Sequence, residues 1–468
     1  MANDSTRASA FSRDRLADIL VSVARLALAL TIVTLPWRQR LMLVTRPSPP
    51  IYADFTNILL HTHTIILATT LLFWGASLAA RPRPINTGPF FLFWPIMGVT
   101  ATAVISAAAS ASLLLAAAHA VQVALLALLY LFLVNEIKGL RAIIWAVGLQ
   151  LGIQAMIGFA QSWQQHDLGL GWLGERMLDP AGGSSFVWAE GGLRALRAYG
   201  LSDHPNILAA GLAFGLLLLT TWLATSNSRW RMAGVALFGL TCGALFLTFS
   251  RPAWIAAAVG MLVAGWLWQH ARPRPVERSV IIAAALATTL FLLPLLFAHL
   301  PYLRLGSNPP VIAARIEEKR QARAARHALN TAANQLFSHH AVTGVGIGVM
   351  PLAALQMAPD LGVDFQPARN TVLTAAAEVG LFGVMFYVAA LLSPWAALAL
   401  RRERLRTSPT LIGLSGALAA VTVLNAFDAY AWYYPSGRVW QWLIWGLWAA
   451  SFYQPVSDTL DRSFADTP

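Results

Sequence analysis

Long apolar stretches recur along almost the whole of this chain, and they constrain its fold more than any other feature. About 20 helical residues cross the roughly 30 Å hydrocarbon core of a bilayer, where the backbone must satisfy its own hydrogen bonds. Of the 468 residues, 57% are hydrophobic and only 12% are charged. The sequence therefore predicts an all-α fold, a polytopic transmembrane bundle that forms a single integral membrane domain over residues 1–468.

Short polar breaks divide the apolar sequence into about twelve predicted spans. Typical breaks are RPRP at 81–84, NEIKGLR at 135–141 and RRERLR at 401–406. The spans are predicted over residues 15–36, 52–80, 87–107, 110–135, 140–163, 203–224, 231–249, 252–269, 279–299, 371–400, 408–427 and 437–454.

The distribution of basic residues between alternate breaks predicts the orientation of the chain. With the N-terminus inside, the inner segments hold 17 arginines and lysines, whereas the short outer segments hold 5. This asymmetry follows the positive-inside rule, and it places both termini in the cytoplasm. Two long loops, residues 164–202 and 300–370, then face outward. Because the net charge of +12 lies in short loops between spans, it does not indicate binding to nucleic acid.

Three arginines stand at the outer membrane boundary, where the positive-inside rule gives no reason for them. Arg194 and Arg197 end the first long loop, and Arg251 lies at the break between the seventh and eighth spans. One interpretation is structural, with ion pairs to outer acidic residues such as Glu175 and Asp203, or contacts with lipid phosphates. The other is an anion site, because a guanidinium grips phosphate oxygens with two parallel hydrogen bonds.

Five sequence elements follow one another in the predicted outer half of the chain. They are RAYGLSDHPNILA at 197–209, LTFSRPAWIAAAVG at 247–260, HHAVTGVGIGVMP at 339–351, ARNTVLTAAAEVGLFGVMFY at 368–387 and FDAYAWYYPSGRVWQWLIWGL at 427–447. In kind and order they resemble the elements of the O-antigen ligase and polymerase superfamily of membrane glycosyltransferases. The resemblance extends over about residues 140–450.

The resemblance implies a glycosyltransferase of the bacterial cytoplasmic membrane whose active site faces outward. Its donor would be a glycan on a polyprenyl diphosphate carrier, and its acceptor a hydroxyl on a lipid-linked or glycan-linked sugar. Membrane lipids are further expected partners, and nucleic acid is not. No cofactor and no metal are implied, so fixed cations would stabilise the negative charge that builds on the leaving diphosphate.

The resemblance also implies roles for individual residues. Catalytic roles fall to Arg197, Arg251 and Glu378, and substrate binding to Arg194, Asn206, Arg369, Asn370, Gly344, Gly346, Gly348, His339 and His340. Structural alternatives remain open for several of them. Glu378 is a carboxylate within a predicted span, which marks either a functional group or the partner of an arginine. The three glycines fit a loop that cradles phosphate and equally a sharp turn at the membrane surface.

One departure from the family pattern concerns the acceptor hydroxyl. Ligases carry a histidine before the family asparagine, Asn370, but this chain carries Arg369 there. An arginine stays protonated and cannot act as a general base. Three alternatives remain: the acceptor needs no strong base, His339, His340 or Glu378 serves instead, or Arg369 grips phosphate in a polymerase or a member with another acceptor.

The segment 311–338 within the second long loop predicts an amphipathic helix that lies over the outer membrane surface. Its charged residues occupy one side, and the opposite side carries Ile316, Leu329, Ala333 and Leu336.

A few polar residues elsewhere have structural interpretations. His61 and His63 are expected to serve packing or contacts between helices, and Asp428 is expected to pair with Arg438. The rival functions are a transporter or flippase of a lipid-linked or anionic solute and a structural membrane protein. Transporters usually carry internal repeats and broken helices near the membrane midplane, and the sequence contains no obvious repeat.

Overall fold

A computed structural model of the chain describes residues 2–181, 183–188, 193–226, 229–271 and 309–453. Helices dominate these residues, and nine of those described are long and apolar enough to cross a membrane. The predicted all-α polytopic fold is therefore confirmed. The predicted span over residues 279–299 lies outside the described residues.

The helices and strands in chain order are α1 (Ala2–Thr34), β1 (Arg40–Val44), β2 (Ile58–His61), α2 (Thr62–Ala80), α3 (Phe90–Ala109), α4 (Leu113–Glu136), α5 (Ile144–Gln164), β3 (Phe186–Trp188), β4 (Arg194–Leu196), α6 (Pro205–Thr225), α7 (Arg231–Leu247), α8 (Arg251–Ala271), α9 (Pro309–His339), α10 (Met350–Met357), α11 (Thr371–Leu400), α12 (Glu403–Thr407), α13 (Pro409–Phe427), α14 (Tyr430–Tyr433) and α15 (Pro435–Tyr453). Short 3-10 turns lie at Ala53–Phe55, Leu140–Ala142, Gly171–Leu173 and Pro359–Leu361.

The centre of the bundle is formed by α6, α13 and α15. Nearly every residue of these three helices is buried, and α15 is buried without interruption from Ser436 to Phe452. They pack against one another and against α4 and α8. The helix α8 is mostly exposed, so it lies at the periphery.

The second predicted span begins too early. Helix α2 starts at Thr62 rather than at residue 52, because the preceding residues form an antiparallel hairpin of β1 and β2 in which Arg40 lies opposite His61. The turn of this hairpin carries Asp54, whose carboxylate accepts a hydrogen bond of 2.7 Å from Arg40. A charged pair at this point favours a polar hairpin over a longer membrane helix.

The loops gather at one end of the bundle, which we call the loop end. It comprises residues 35–61, 110–112, 165–181, 183–188, 193–204, 248–250, 340–370 and 428–434. Backbone and side-chain hydrogen bonds join these loops directly, for example from Arg46 to Ser112 and from Ser110 to Val345. The opposite end carries arginine pairs such as Arg83 with Glu136. Which end faces outward stays a prediction from the positive-inside rule.

A loop inserts into a break in the long helix α11. The break lies at Gly380, whose φ of +71° is not helical. Two carbonyl groups just before the break therefore lack helical partners, and the backbone of residues 341–348, which we call the inserted loop, satisfies them. The amide of Val345 donates to the Ala377 carbonyl at 2.9 Å, and the amide of Gly346 donates to the Glu378 carbonyl at 3.1 Å.

The inserted loop is also held from its other side. The Leu381 amide donates to the Ala341 carbonyl at 2.7 Å, and the Ser110 hydroxyl donates to the Val345 carbonyl at 2.8 Å. Backbones approach so closely here that a side chain on Gly380 would meet the Val342 carbonyl oxygen at 2.3 Å. The third and fourth sequence elements thus form one packing unit.

The amphipathic segment of the second long loop forms α9. Its buried side includes Leu329, Ala333 and Leu336, as expected, together with Val311. Ile316 is exposed, so no protein group covers it among the described residues. The placement of this helix on a membrane surface stays a prediction.

Replacement of Gly344 by alanine should destabilise the fold. Gly344 has a φ of +69°, and its Cβ would lie 2.2 Å from the Glu378 carbonyl oxygen. Backbone strain and steric overlap of this kind should lower the free energy of unfolding by at least about 2 kcal/mol. The thermal unfolding midpoint of the purified protein should therefore fall by several degrees. The matched control is Gly265→Ala in α8, where no atom lies within 4 Å of the new methyl group. Equal midpoints for the two variants would contradict the close approach.

Candidate functional site

The N-terminus of α6 opens at the loop end and organises the polar residues around it. His204 caps the helix, because its Nδ1 accepts a hydrogen bond of 3.1 Å from the Asn206 amide, and Pro205 occupies the first helical position. A helix N-terminus carries partial positive charge and unpaired amide groups, which suit an anion. The sequence HPN therefore builds a helix start directly beside the arginine of the first element.

Arg197 makes contacts only with neutral groups. Its Nε donates to the Thr248 carbonyl at 2.6 Å and its Nη2 donates to Asn206 Oδ1 at 2.7 Å. The acidic residue nearest in sequence, Asp203, pairs instead with Arg38 and Arg40. The alternative of a structural ion pair for Arg197 is therefore wrong among the described residues, and its positive charge is not neutralised by a carboxylate.

Burial and a second arginine act on the charge of Arg197. Burial lowers the pKa of Arg197 to about 10, and the nearby charge of Arg369 contributes in the same direction. The guanidinium still keeps its proton at neutral pH. Two arginines from distant parts of the sequence thus lie close enough to repel each other, which is an arrangement that an anion would relieve.

The imidazole of His204 is neutral. Burial above all, followed by the charges of Arg197, Arg369 and Arg176, lowers its pKa to about 3. Because Nδ1 accepts a hydrogen bond, the ring proton lies on Nε2, which donates to the Ser185 hydroxyl at 3.1 Å.

A small polar pocket of about 80 Å³ lies beside this helix start. Its lining includes His204, Asn206, Arg369, Asp428 and Tyr434. Burial raises the pKa of Asp428, although the positive charge of Arg369 opposes the shift. We call this cavity the polar pocket.

The expected pair of Asp428 with Arg438 is wrong. The guanidinium of Arg438 lies in the bundle interior, where Nη1 is 3.1 Å from both His119 Nδ1 and Gln122 Oε1. Asp428 remains at the loop end, facing the polar pocket. The two residues lie at opposite sides of the short helix α14.

A much larger cavity of about 480 Å³ adjoins the polar pocket and shares four lining residues with it: His204, Ile207, Gln366 and Tyr434. We call it the large cavity. Its wall is built by the β1–β2 hairpin, the N-terminal part of α4 and the segment between α14 and α15. Sequence reasoning missed it, because its charged lining residues come from loop segments that lie far apart in the sequence: Arg38, Arg40, Asp54, Arg176, Asp203 and Asp364. The sequence did carry one signal for this cavity, because charged residues and histidines interrupt the second apolar run.

Glu378 is fully buried and lines neither cavity. Its carboxylate accepts hydrogen bonds from Trp432 Nε1 at 2.8 Å and from the Met350 amide at 3.4 Å. The carboxylate thus links α11 to α10 and α14.

The three glycines of the inserted loop all have positive φ. Besides the approach of Gly344 to the Glu378 carbonyl, a Cβ on Gly346 would meet Ser110, and one on Gly348 would meet the His119 ring. Close packing explains why glycine is required at each position. Their role in binding phosphate stays a prediction.

The remaining predicted residues lie apart from this centre. Arg251 is exposed and makes no hydrogen bond or ion pair with any described residue. The guanidinium of Arg194 stacks over the Phe186 ring at 4.5 Å. The Asn370 side chain caps α11, and His339 and His340 are exposed. The structure therefore brings together Arg197, Asn206 and Arg369 and leaves the others outside.

Acidification should destabilise the protein through His204. Its pKa is about 3 when folded and 6.5 ordinarily, so the unfolded chain binds a proton that the folded chain excludes. The contribution of His204 to the free energy of unfolding is therefore fully present above pH 6.5. Below that pH it falls by about 1.4 kcal/mol for each pH unit. The measurement is the unfolding midpoint between about pH 7.5 and about pH 5.

The control for this prediction is His204→Asn, which keeps a good helix cap and removes the titrating ring. The midpoint of this variant should depend less on pH. Parallel curves for the variant and the wild-type protein would contradict a buried neutral imidazole.

Comparison with known proteins bears on the predicted resemblance. Residues 236–388 match the model of the O-antigen ligase family. This segment contains the second, third and fourth elements, with Arg251, Arg369 and Glu378, whereas Arg197 precedes it. A comparison with curated proteins finds no match. The family match supports glycan transfer of the general kind that O-antigen ligases and polymerases perform, and over residues 236–388 the resemblance of this chain to the O-antigen ligase and polymerase superfamily is confirmed.

Proposed function

We propose that this protein transfers a glycan from a polyprenyl diphosphate carrier to a sugar hydroxyl at the outer face of the bacterial cytoplasmic membrane. The observation that carries the proposal is the proximity of the charges of Arg197 and Arg369 at the N-terminus of α6, with no carboxylate of the described residues bonded to Arg197. The donor diphosphate would bind there, next to the adjoining large cavity.

The electrostatics of this arrangement suit a leaving diphosphate. When the bond from the anomeric carbon to the phosphate oxygen breaks, the oxygen keeps the electron pair and gains negative charge. Arg197 is oriented for this charge by its two hydrogen bonds, and its Nη1 donates to no acceptor among the described residues. A preoriented cation in a partly buried site stabilises the transition state more than the ground state.

The acceptor proton needs a separate account. Arg369 stays protonated, and a pKa of about 3 makes His204 too weak a base at neutral pH. Glu378 lines neither cavity. We therefore favour the alternative without a strong base: the acceptor oxygen bonds to the electron-poor anomeric carbon first, and its proton then passes to the departing diphosphate.

Metal independence is part of the proposal and stays untested. Among the described residues, no three side chains of His, Cys, Asp or Glu gather in a way that would hold a metal ion. The two guanidiniums are the groups we propose for the role that a metal plays in other diphosphate chemistry.

The break in α11 bears on the transporter alternative, because broken helices often form transport sites. The carbonyls of Ala377 and Glu378 at this break are occupied by amides of the inserted loop. They are not available to a solute, which favours the transferase. Whether the acceptor is lipid A core or a growing chain, as in a ligase or a polymerase, is decided by the length of the product.

Removal of either central arginine should abolish most of the transfer. Arg197→Ala or Arg369→Ala should lower the rate by about 10²–10³-fold, and lysine should restore little because it lacks the planar fork. The measurement is release of carrier diphosphate by purified protein supplied with a polyprenyl diphosphate glycan and an acceptor.

The matched control is Arg81→Ala, which removes an exposed arginine paired with Asp18 at the opposite end of the bundle. It should keep wild-type transfer. Near-normal turnover by the Arg197 variants would refute the diphosphate site, and flux of intact substrate into liposomes without bond breakage would establish a transporter.

A further inference from the structure

Three side chains on the wall of the large cavity carry buried polar atoms that no protein group satisfies. Within the described residues these atoms are Trp37 Nε1, His61 Nδ1 and both ring nitrogens of His63. All three residues line the cavity, and His63 is only 1% exposed. Buried polar groups are normally hydrogen-bonded, so unsatisfied ones require an explanation.

The two histidines form a pair at the junction of β2 and α2. Their ring centroids are 5.3 Å apart. Burial and the charge of Arg40 lower the pKa of His61 to about 4, so this ring is neutral and offers one donor and one acceptor. Neutral imidazoles of this kind match a hydroxyl group, which also both donates and accepts.

The charges of the large cavity are balanced. Three arginines and three aspartates line it. Four of them form ion pairs, because Arg38 pairs with Asp203 and Arg40 bonds to both Asp54 and Asp203 at 2.7 and 3.0 Å. A cavity with paired charges offers many polar contacts but no net attraction for an ion. This distinguishes it from the start of α6, where Arg197 has no acidic partner among the described residues.

Aromatic rings complete the wall. Trp37, Tyr52, Tyr433 and Tyr434 line the cavity, and amphipathic rings of this kind combine apolar contact with a polar tip. The volume of about 480 Å³ lies in the range of small-molecule sites. The aromatic rings of the wall suit the apolar faces of a sugar ring. The polar groups of the wall suit the hydroxyl groups at the edge of that ring.

We infer that the large cavity binds an uncharged sugar residue, and that His61, His63 and Trp37 hydrogen-bond to its hydroxyl groups. The inference rests on the proposed function for the identity of the sugar, which belongs either to the donor glycan or to the acceptor. The shared lining of the two cavities places this sugar next to the proposed diphosphate site.

Kinetic measurements on His61→Phe and His63→Phe test the inference, since phenylalanine keeps a ring and removes both nitrogens. Each variant should raise one KM by about 3-fold to 10-fold, the effect of one lost neutral hydrogen bond, with little change in kcat. A raised donor KM assigns the cavity to the donor glycan, and a raised acceptor KM assigns it to the acceptor. The variant His63→Gln keeps a hydrogen-bond donor and an acceptor, so its KM should stay closer to the wild-type value.

The matched control is His270→Phe, an exposed histidine at the end of α8 whose Nδ1 contacts only the Trp266 carbonyl. It should change neither KM. Equal values of KM for the two cavity variants and this control would overturn the inference.

A binding measurement that needs no catalysis separates this inference from the proposed function. Saturation-transfer NMR on the full chain in nanodiscs, with methyl glycosides of neutral hexoses as probes, should detect binding that His63→Phe weakens and Arg197→Ala preserves. Binding without any glycan transfer by the wild-type protein would refute the proposed function alone. Stronger binding of carboxylate-bearing sugars, or no binding of neutral ones, would overturn the inference.

Discussion

The insertion of residues 341–348 into the broken helix α11 is the interaction on which the loop end depends. A helix interrupted within a membrane protein leaves carbonyl groups that must be satisfied internally, and here the amides of Val345 and Gly346 satisfy them. The same contact fixes Glu378 beside Trp432 and holds the chain that leads to Arg369.

Two kinds of electrostatic environment lie side by side at this end. Around the start of α6, arginines approach each other with no described carboxylate bonded to Arg197, whereas beside and within the β1–β2 hairpin Arg38 and Arg40 each pair with an aspartate. The first arrangement favours a bound anion and the second favours neutral polar groups. A glycan attached to a diphosphate carries an anionic group and neutral hydroxyl groups in one molecule, and so it matches both environments.

The fold was more predictable from the sequence than the site. Membrane helices are encoded locally by runs of apolar residues, so most predicted spans correspond to helices, and nine of the described helices are long and apolar enough to cross a membrane. The hairpin before Thr62 was wrongly predicted as helix. The meeting of Arg197 with Arg369 depends on packing between residues 172 positions apart, and only the order of family elements hinted at it. Arg251 shows the limit of such reasoning, because its motif matched while its side chain is exposed and bonds to no described residue. The large cavity combines residues from four loop segments of the loop end, so no single stretch of sequence predicts it.

The hairpin of β1 and β2 lies outside the segment that matches the O-antigen ligase family. Ion pairs from Arg38 and Arg40 to Asp203, together with the hydrogen bond from Arg46 to Ser112, attach it to the rest of the loop end. Asp203 lies two residues before the start of α6. The hairpin wall of the large cavity and the helix start beside Arg197 are therefore held to each other by one aspartate.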